Sequence, residues 1–386
     1  MFYGCTGLIV PPELPATELA NNCYNRMFAY CTSLSEFPEL PALTLPTNCY
    51  FEMFYGCSSL SSIKVDFIEW TKNTTSNWVY NVSSPGDFTK TIDLVEEYDI
   101  SKIPIGWTTI NKPINEQFEK ENNLTLTANV AGSTVKLTSS GKPTVSGLQY
   151  RTSVTNPWQN YEINMVITLE NVNDYVQFRN VANTLSKSKT SYVKFVMTGG
   201  IKASGNIQSM LKYSEFCNNY CYAYLFKGCT VLISTPILSA TTLDDYCYYG
   251  MFEGCTTLIS GPTLPVLELS THCYTGMFKN CTSLITAPTL PATTLANYCY
   301  YSMFEGCTRL TIAPNLPATN LISYCYNRMF YGCTSLISIN AGFIKWVSNS
   351  TNNWVDKVAA SGTFTKSSNL KIKNGVSYIP NGWTIN

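Results

Sequence analysis

The sequence predicts an α/β solenoid in two arrays, each closed at its C-terminal end by a cap, with a β-sandwich between them. Three observations carry this expectation. The first is a 26-residue period: Met-Phe-x-x-Cys stands at Met1, Met27 and Met53 and again at Met251, Met277, Met303 and Met329. A degenerate copy, Leu225-Phe226-Lys227-Gly228-Cys229, lies one unit earlier. A fixed period of this length marks stacked coils that contact only their neighbours. The second is a longer period, since Met53 and Met329, Trp70 and Trp346, Trp78 and Trp354, Phe88 and Phe364, and Trp107 and Trp383 are all 276 apart. The third is residues 112–209, which follow neither period and alternate apolar with polar residues.

Taken in order, residues 1–62 are the first array and 63–111 its cap. The cap rests on tryptophan, because six of the seven Trp fall in the two segments related by the longer period. An array's last open core needs such a cover. Residues 112–209 contain Leu124-Thr-Leu126, Val135-Lys-Leu137, Val166-Ile-Thr-Leu169, Tyr175-Val-Gln-Phe178 and Tyr192-Val-Lys-Phe195, punctuated by Gly, Pro and Asn. That is the pattern of a small antiparallel sandwich. Residues 210–338 are the second array and 339–386 the second cap. Met1 falls in mid-coil, so the first array is expected to lack its natural start, with any export signal further upstream.

Within a coil, Cys299-Tyr-Tyr-Ser-Met303-Phe304-Glu-Gly-Cys307 places apolar residues at i, i+4, i+5 and i+8. This spacing predicts a short helix with Tyr301, Ser302 and Glu305 outside and a turn at Gly306. The Leu284-x-x-x-Pro288-x-Leu290-Pro291 stretch reads as extended, and its prolines argue against long, fully bonded strands.

The recurring Phe-x-Gly-Cys-Thr-Ser-Leu string resembles BspA-type leucine-rich repeats, also called Treponema-type, over residues 1–62 and 217–338. The resemblance implies a curved leucine-rich solenoid on a bacterial surface, used for adhesion or partner binding without catalysis. The coil departs from the family in carrying an additional Leu-Pro-Ala-Thr segment. The sandwich, with its exit strand Thr198–Ile207, resembles the Ig-like linker domains of similar modular surface proteins.

Composition excludes several classes. Lys+Arg and Asp+Glu are both 25, so the chain lacks the basic field of a non-specific nucleic-acid binder. Only 13% of residues are charged, which leaves Thr, Ser, Asn and Tyr to finish the surface. No apolar run approaches the ~20 residues of a membrane helix, and residues 1–30 lack a signal-peptide layout. Membrane insertion is therefore not expected.

Fifteen of the sixteen Cys fall into two registers, Cys23 to Cys325 and Cys5 to Cys333, with Cys217 outside both. Zinc would need convergent ligands, and neither a CxxC pair nor a supply of His is present. Helical partners eight residues apart lie ~12 Å from each other, beyond the ~7 Å a disulfide tolerates. Bridges between coils would pair side chains that point the same way. The favoured reading is a small buried hydrophobe stacked coil upon coil, with disulfides the alternative.

No enzyme is expected. A nucleophile–His mechanism must use His272, the only histidine, whose equivalents Asn22, Asn48, Tyr220, Tyr246, Tyr298 and Tyr324 suggest a solvated rim position. Nothing in the sequence asks for a cofactor or metal. The Tyr that recur in every complete coil, Tyr24 to Tyr326, read as packed ladder. Positions that vary between coils are the binding candidates. On the presumed helix these are Asn25, Phe51, Ala223, Tyr249, Thr275, Tyr301 and Asn327. On the extended face they are Glu36, Glu39, Thr263, Thr289 and Asn315. Exposed Tyr beside Thr and Asn suits sugar stacking or a protein interface.

The expected function is a non-catalytic, extracellular or cell-surface scaffold presenting a repeat surface to a host or bacterial surface protein or glycan. Two alternatives stay open: a bacteriophage virion or fibre component, and the non-catalytic part of a larger glycan-processing enzyme.

Overall fold

In the computed structural model, all residues are described except 92, 113–115, 144, 183 and 184, together with the side chains of 38 and 116–118. The chain forms two compact units, Met1–Asn115 and Glu116–Asn386. Both are solenoids of stacked coils, nearly all turn and strand.

The expected coil helix is absent. In Tyr298–Cys307 only every second N–H bonds back three residues, as Tyr301 to Tyr298 (3.1 Å), Met303 to Tyr300 (3.2 Å) and Glu305 to Ser302 (3.2 Å). The intervening N–H groups leave the coil for the next one: Tyr300 donates to the Cys325 carbonyl (3.1 Å), Ser302 to Asn327 (2.9 Å) and Phe304 to Met329 (2.9 Å). A helix would keep all of these bonds internal. Every fourth residue is left-handed, with φ of 57° at Tyr298, 52° at Ser302 and 77° at Gly306. The apolar period is thus four, set by a chain of turns. Pairs at 299/300 and 303/304 face inward by the same arithmetic that imitates a helix.

The extended segments behave differently in the two units. In the first, β1 (Glu36–Leu40), β2 (Ser62–Val65), β3 (Asp87–Lys90) and β4 (Thr108–Asn111) form one parallel sheet in chain order. In the second array, the pairings Ser260 with Thr286, Glu268 with Thr294 and Ile312 with Ser338 are single bridges. Prolines such as Pro288, Pro291, Pro314 and Pro317 have no N–H to extend them.

Between Leu124 and Ser204 the second unit carries β5 (Leu124–Ala128), β6 (Ser133–Ser140), β7 (Leu148–Arg151), β8 (Gln159–Asn160), β9 (Val166–Leu169), β10 (Tyr175–Asn180), β11 (Tyr192–Thr198) and β12 (Ile201–Ser204). They make two antiparallel groups, ordered β12-β5-β10-β7-β8 and β11-β6-β9. Their last segment doubles as the array's first rung. The Phe195 N–H donates to the Leu225 carbonyl (2.7 Å), the Ile201 N–H to Val231 (3.1 Å), and the Phe195 ring stacks on Phe226 at 5.2 Å. One apolar core therefore runs from Leu124 through the array to Trp383.

Inside the array, rings line up rung on rung. Phe226, Phe252, Phe278, Phe304 and Phe330 stack at 5.5, 5.6, 5.7 and 5.8 Å, and Tyr222 to Tyr326 form a second buried column. Each pair contributes about 0.5–1.5 kcal/mol beyond its buried area. Trp354 ends both columns, fully buried, with its Nε1–H satisfied by the Tyr378 carbonyl (2.7 Å). Trp78 does the same in the first unit, donating to the Lys102 carbonyl (2.8 Å).

All sixteen cysteines are free; fourteen are buried, and Cys5 and Cys23 are exposed. The thiols of one register are more than small hydrophobes. Cys255 Sγ donates to the Phe226 carbonyl, Cys281 to Phe252, Cys307 to Phe278 and Cys333 to Phe304, each at 3.1 Å. Cys229 makes the same bond to Phe195 (3.2 Å). Among the described residues, no helix is long and apolar enough to cross a membrane.

Candidate binding face

The left-handed position that opens each turn ladder projects its side chain away from the core. In the second unit it is occupied by Tyr220, Tyr246, His272, Tyr298 and Tyr324, all half-buried. Their rings stack at 4.5, 4.4, 4.3 and 4.5 Å with interplanar angles of 6–14°. These separations are shorter than those of the buried Phe column, so the rings close up on this face. A stacked column hides ring faces and leaves edges, hydroxyls and one imidazole outward.

His272 is therefore a member of an ordered column rather than a loosely solvated rim residue. The Thr275 hydroxyl spends its hydrogen on the Tyr298 carbonyl (2.7 Å), so it accepts from His272 Nδ1 at 3.0 Å. That fixes the Nδ1–H tautomer and leaves the Nε2 lone pair outward. Burial, then Lys189, pushes the His272 pKa down to about 4 against the opposing pull of Asp245.

Beside the column lie Tyr249 and Tyr301, half-buried and two rungs apart. Tyr249 meets Tyr246 at 5.9 Å and 47°, and Tyr301 meets Tyr298 at 5.8 Å and 50°. Between and beyond them, Ala223, Thr275 and Asn327 are buried, which removes three of the variable positions from the accessible surface. On the far side of the ladder Lys227 pairs with Glu253 (3.0 Å) and Lys279 with Glu305 (3.2 Å). Arg328 grips Glu305 through both Nε (3.0 Å) and Nη2 (2.9 Å). Burial alone would raise the Glu305 pKa, but Arg328, Ser302 and Lys279 outweigh it and hold it at about 2.

No family model, curated protein or solved structure matches the chain. The site therefore stands on its own geometry.

The other candidates are scattered. Thr289 and Asn315 share a recess of about 320 Å³ walled by Pro288, Pro291, Pro314 and Pro317. Thr263 is exposed on the same segment one coil earlier. In the first unit, Glu36 and Asn25 are exposed, and Phe51 lies under the Arg26 guanidinium (5.7 Å). Glu39 is tied to Lys112, which also bonds Asp66 (2.6 Å). Hydrogen bonding from Lys112 lowers the Glu39 pKa, while burial raises that of Asp66. Among the described residues, no group of three His, Cys, Asp or Glu is arranged to hold a metal ion.

Sequence reasoning missed the column and Lys189. The ammonium of Lys189 sits over both Tyr246 (4.6 Å) and Tyr249 (4.7 Å), and burial lowers its pKa.

Proposed function

We propose that the chain is a non-catalytic binding scaffold that presents its repeat face to a surface protein or glycan. In this reading it is a BspA-like, leucine-rich-repeat surface protein with an Ig-like domain, working outside the cell or at its surface. The carrying observation is the ordered, half-exposed column Tyr220–Tyr246–His272–Tyr298–Tyr324 with Tyr249 and Tyr301 beside it. Rings held by their neighbours lose little freedom on binding, and each rung repeats the contact. Tyr hydroxyls and ring edges serve both peptide and carbohydrate partners.

The experiment is a glycan-array screen with mucin and matrix pull-downs of the full chain. Retention by one of these surfaces, lost in Tyr249→Ala/Tyr301→Ala with the melting temperature kept, supports the reading. No retention on any of them overturns it.

A further inference from the structure

The Tyr246/Tyr249 corner is a cation site with its occupant in place. The Lys189 ammonium lies 4.6 and 4.7 Å from the two ring centroids, inside the ~6 Å range of a cation–π contact. Two rungs on, the repeat rebuilds the same corner from Tyr298 and Tyr301. The ring separations agree within 0.1 Å and the tilts within 3°, from 5.9 Å and 47° to 5.8 Å and 50°. Among the described residues, no cation lies over Tyr298 or Tyr301. The nearest candidate, Arg328, is held by Glu305 on two bonds and lies over Tyr331 at 3.9 Å.

We propose that the Tyr298/Tyr301 corner is a binding site for an alkylammonium group, carried by a partner's lysine or by a quaternary ammonium. The inference rests on the binding-scaffold reading and names the partner chemistry for one part of that face. The surroundings refine the class. The first corner has Asp245 nearby, whose carboxylate accepts from the Thr271 N–H (2.8 Å). At the second corner the equivalent residue is Asn297, and the neighbouring cations Lys279 and Arg328 share one carboxylate, Glu305. Both faces of Tyr298 are taken by His272 (4.3 Å) and Tyr324 (4.5 Å). Recognition there falls to the Tyr301 ring with the outer edge and hydroxyl of Tyr298 beside it, which favours a weakly hydrated, methylated ammonium over a bare one. A single two-ring corner supports millimolar binding, so affinity for a real partner comes from repetition along the face.

The test uses the full chain with tyrosine labelled at ¹³Cε and followed by NMR. Choline is titrated against its uncharged isostere, 3,3-dimethylbutan-1-ol, with Nα-acetyl-lysine methylamide as the separate lysine arm. Choline is expected to shift Tyr298 and Tyr301 with one site per chain, about tenfold more tightly than the isostere. Tyr301→Leu removes that site. Lys189→Ala uncovers the first corner and raises the count to two. A stronger response to the lysine arm than to choline keeps the site and assigns it to a protein partner. Equal response to choline and the isostere, or no response at Tyr298 and Tyr301, overturns the proposal. So does a count left at one in Lys189→Ala. Surface retention lost in Tyr301→Leu without any ammonium response overturns the cation site alone and leaves the scaffold reading intact.

Discussion

Gly276→Ala separates the turn ladder from the helix that the sequence predicts, because Gly276, the equivalent of Ser302, stands inside that helix and the two forms give opposite signs. Gly276 has φ of +60°, and a Cβ built there would meet only the Lys279 Cβ at 3.9 Å, an ordinary contact. The cost is therefore conformational and not steric. Placing an L side chain in the left-handed region costs about 1–2 kcal/mol, and the stiffer unfolded chain returns about 0.4–1 kcal/mol. The net expectation is a loss of about 1 kcal/mol, equivalent to a fall of about 2–4 °C in melting temperature for a unit of this size. In a helix the same change would gain about 1 kcal/mol. Gly276→Asn should cost less than Ala, since Asn tolerates the left-handed region, as Asn353 does at φ of 52°. Urea unfolding of the two variants beside the parent decides it. An Ala variant equal to or more stable than the parent refutes the ladder.

Thiol titration of the native protein should find Cys5 and Cys23 fast and the rest slow until unfolding, since burial pushes thiols such as Cys57, Cys273 and Cys281 up to about 12; rapid labelling of most thiols would contradict the buried columns. His272 should titrate near pH 4 by NMR, so its share of stability is complete above ~6.5 and falls as pH drops toward 4, by about 1–2 kcal/mol after allowing for its half exposure. A midpoint near 6.5 would contradict the stacked, partly dry ring. Glu305 acts the same way on the acid side: its stabilisation is present above its ordinary pKa of 4.5 and is lost toward pH 2, and Glu305→Gln should cost about 1–2 kcal/mol in urea unfolding at pH 7. Phe304→Ala should cost about 3–5 kcal/mol, while Tyr301→Ala, three residues away and outside the core, should cost under about 1 kcal/mol. Equal losses by calorimetry would mean that the binding face and the core are not separate.

The stacking of coils was legible because Met-Phe-x-x-Cys returns at a fixed interval, and the prolines correctly forecast weak pairing of the extended segments. The helix was not distinguishable from a four-residue turn repeat over nine residues, since periods of 3.6 and 4 diverge by less than about one position in that span. A discriminating signal was present but unread. Asn73, Asn77 and Asn81, then Asn349 and Asn353, fall at every fourth place, and Gly228, Gly254, Gly306 and Gly332 hold the last left-handed place of their own coils. Asn and Gly are the residues that tolerate left-handed φ. The aromatic column was missed for a related reason: Asn, Tyr and His sharing one position looked like tolerance, whereas Tyr and His are both flat rings that stack. Lys189 could not be read at all, because it reaches the array from a segment with no period.

The bonding of a coil is lopsided, and that asymmetry locates where function can sit. On the turn side every second N–H is tied to the next rung, as from Tyr220 through Gly228 to the carbonyls of Asp245, Cys247, Tyr249, Met251 and Glu253. Those bonds depend on the backbone alone, so side chains on that face can change without loosening the rungs. The core needs Phe, Tyr, Met and Cys in register, and the Pro side relies on packing and a few bridges. A face whose backbone is saturated, and whose side chains stack outside the core, is where substitution carries less structural penalty than in the core. Tyr249, His272 and Tyr301 lie there, next to residues that recur unchanged in the core. Variation between coils on this face is therefore what rungs tied through their backbone permit at little cost to the fold.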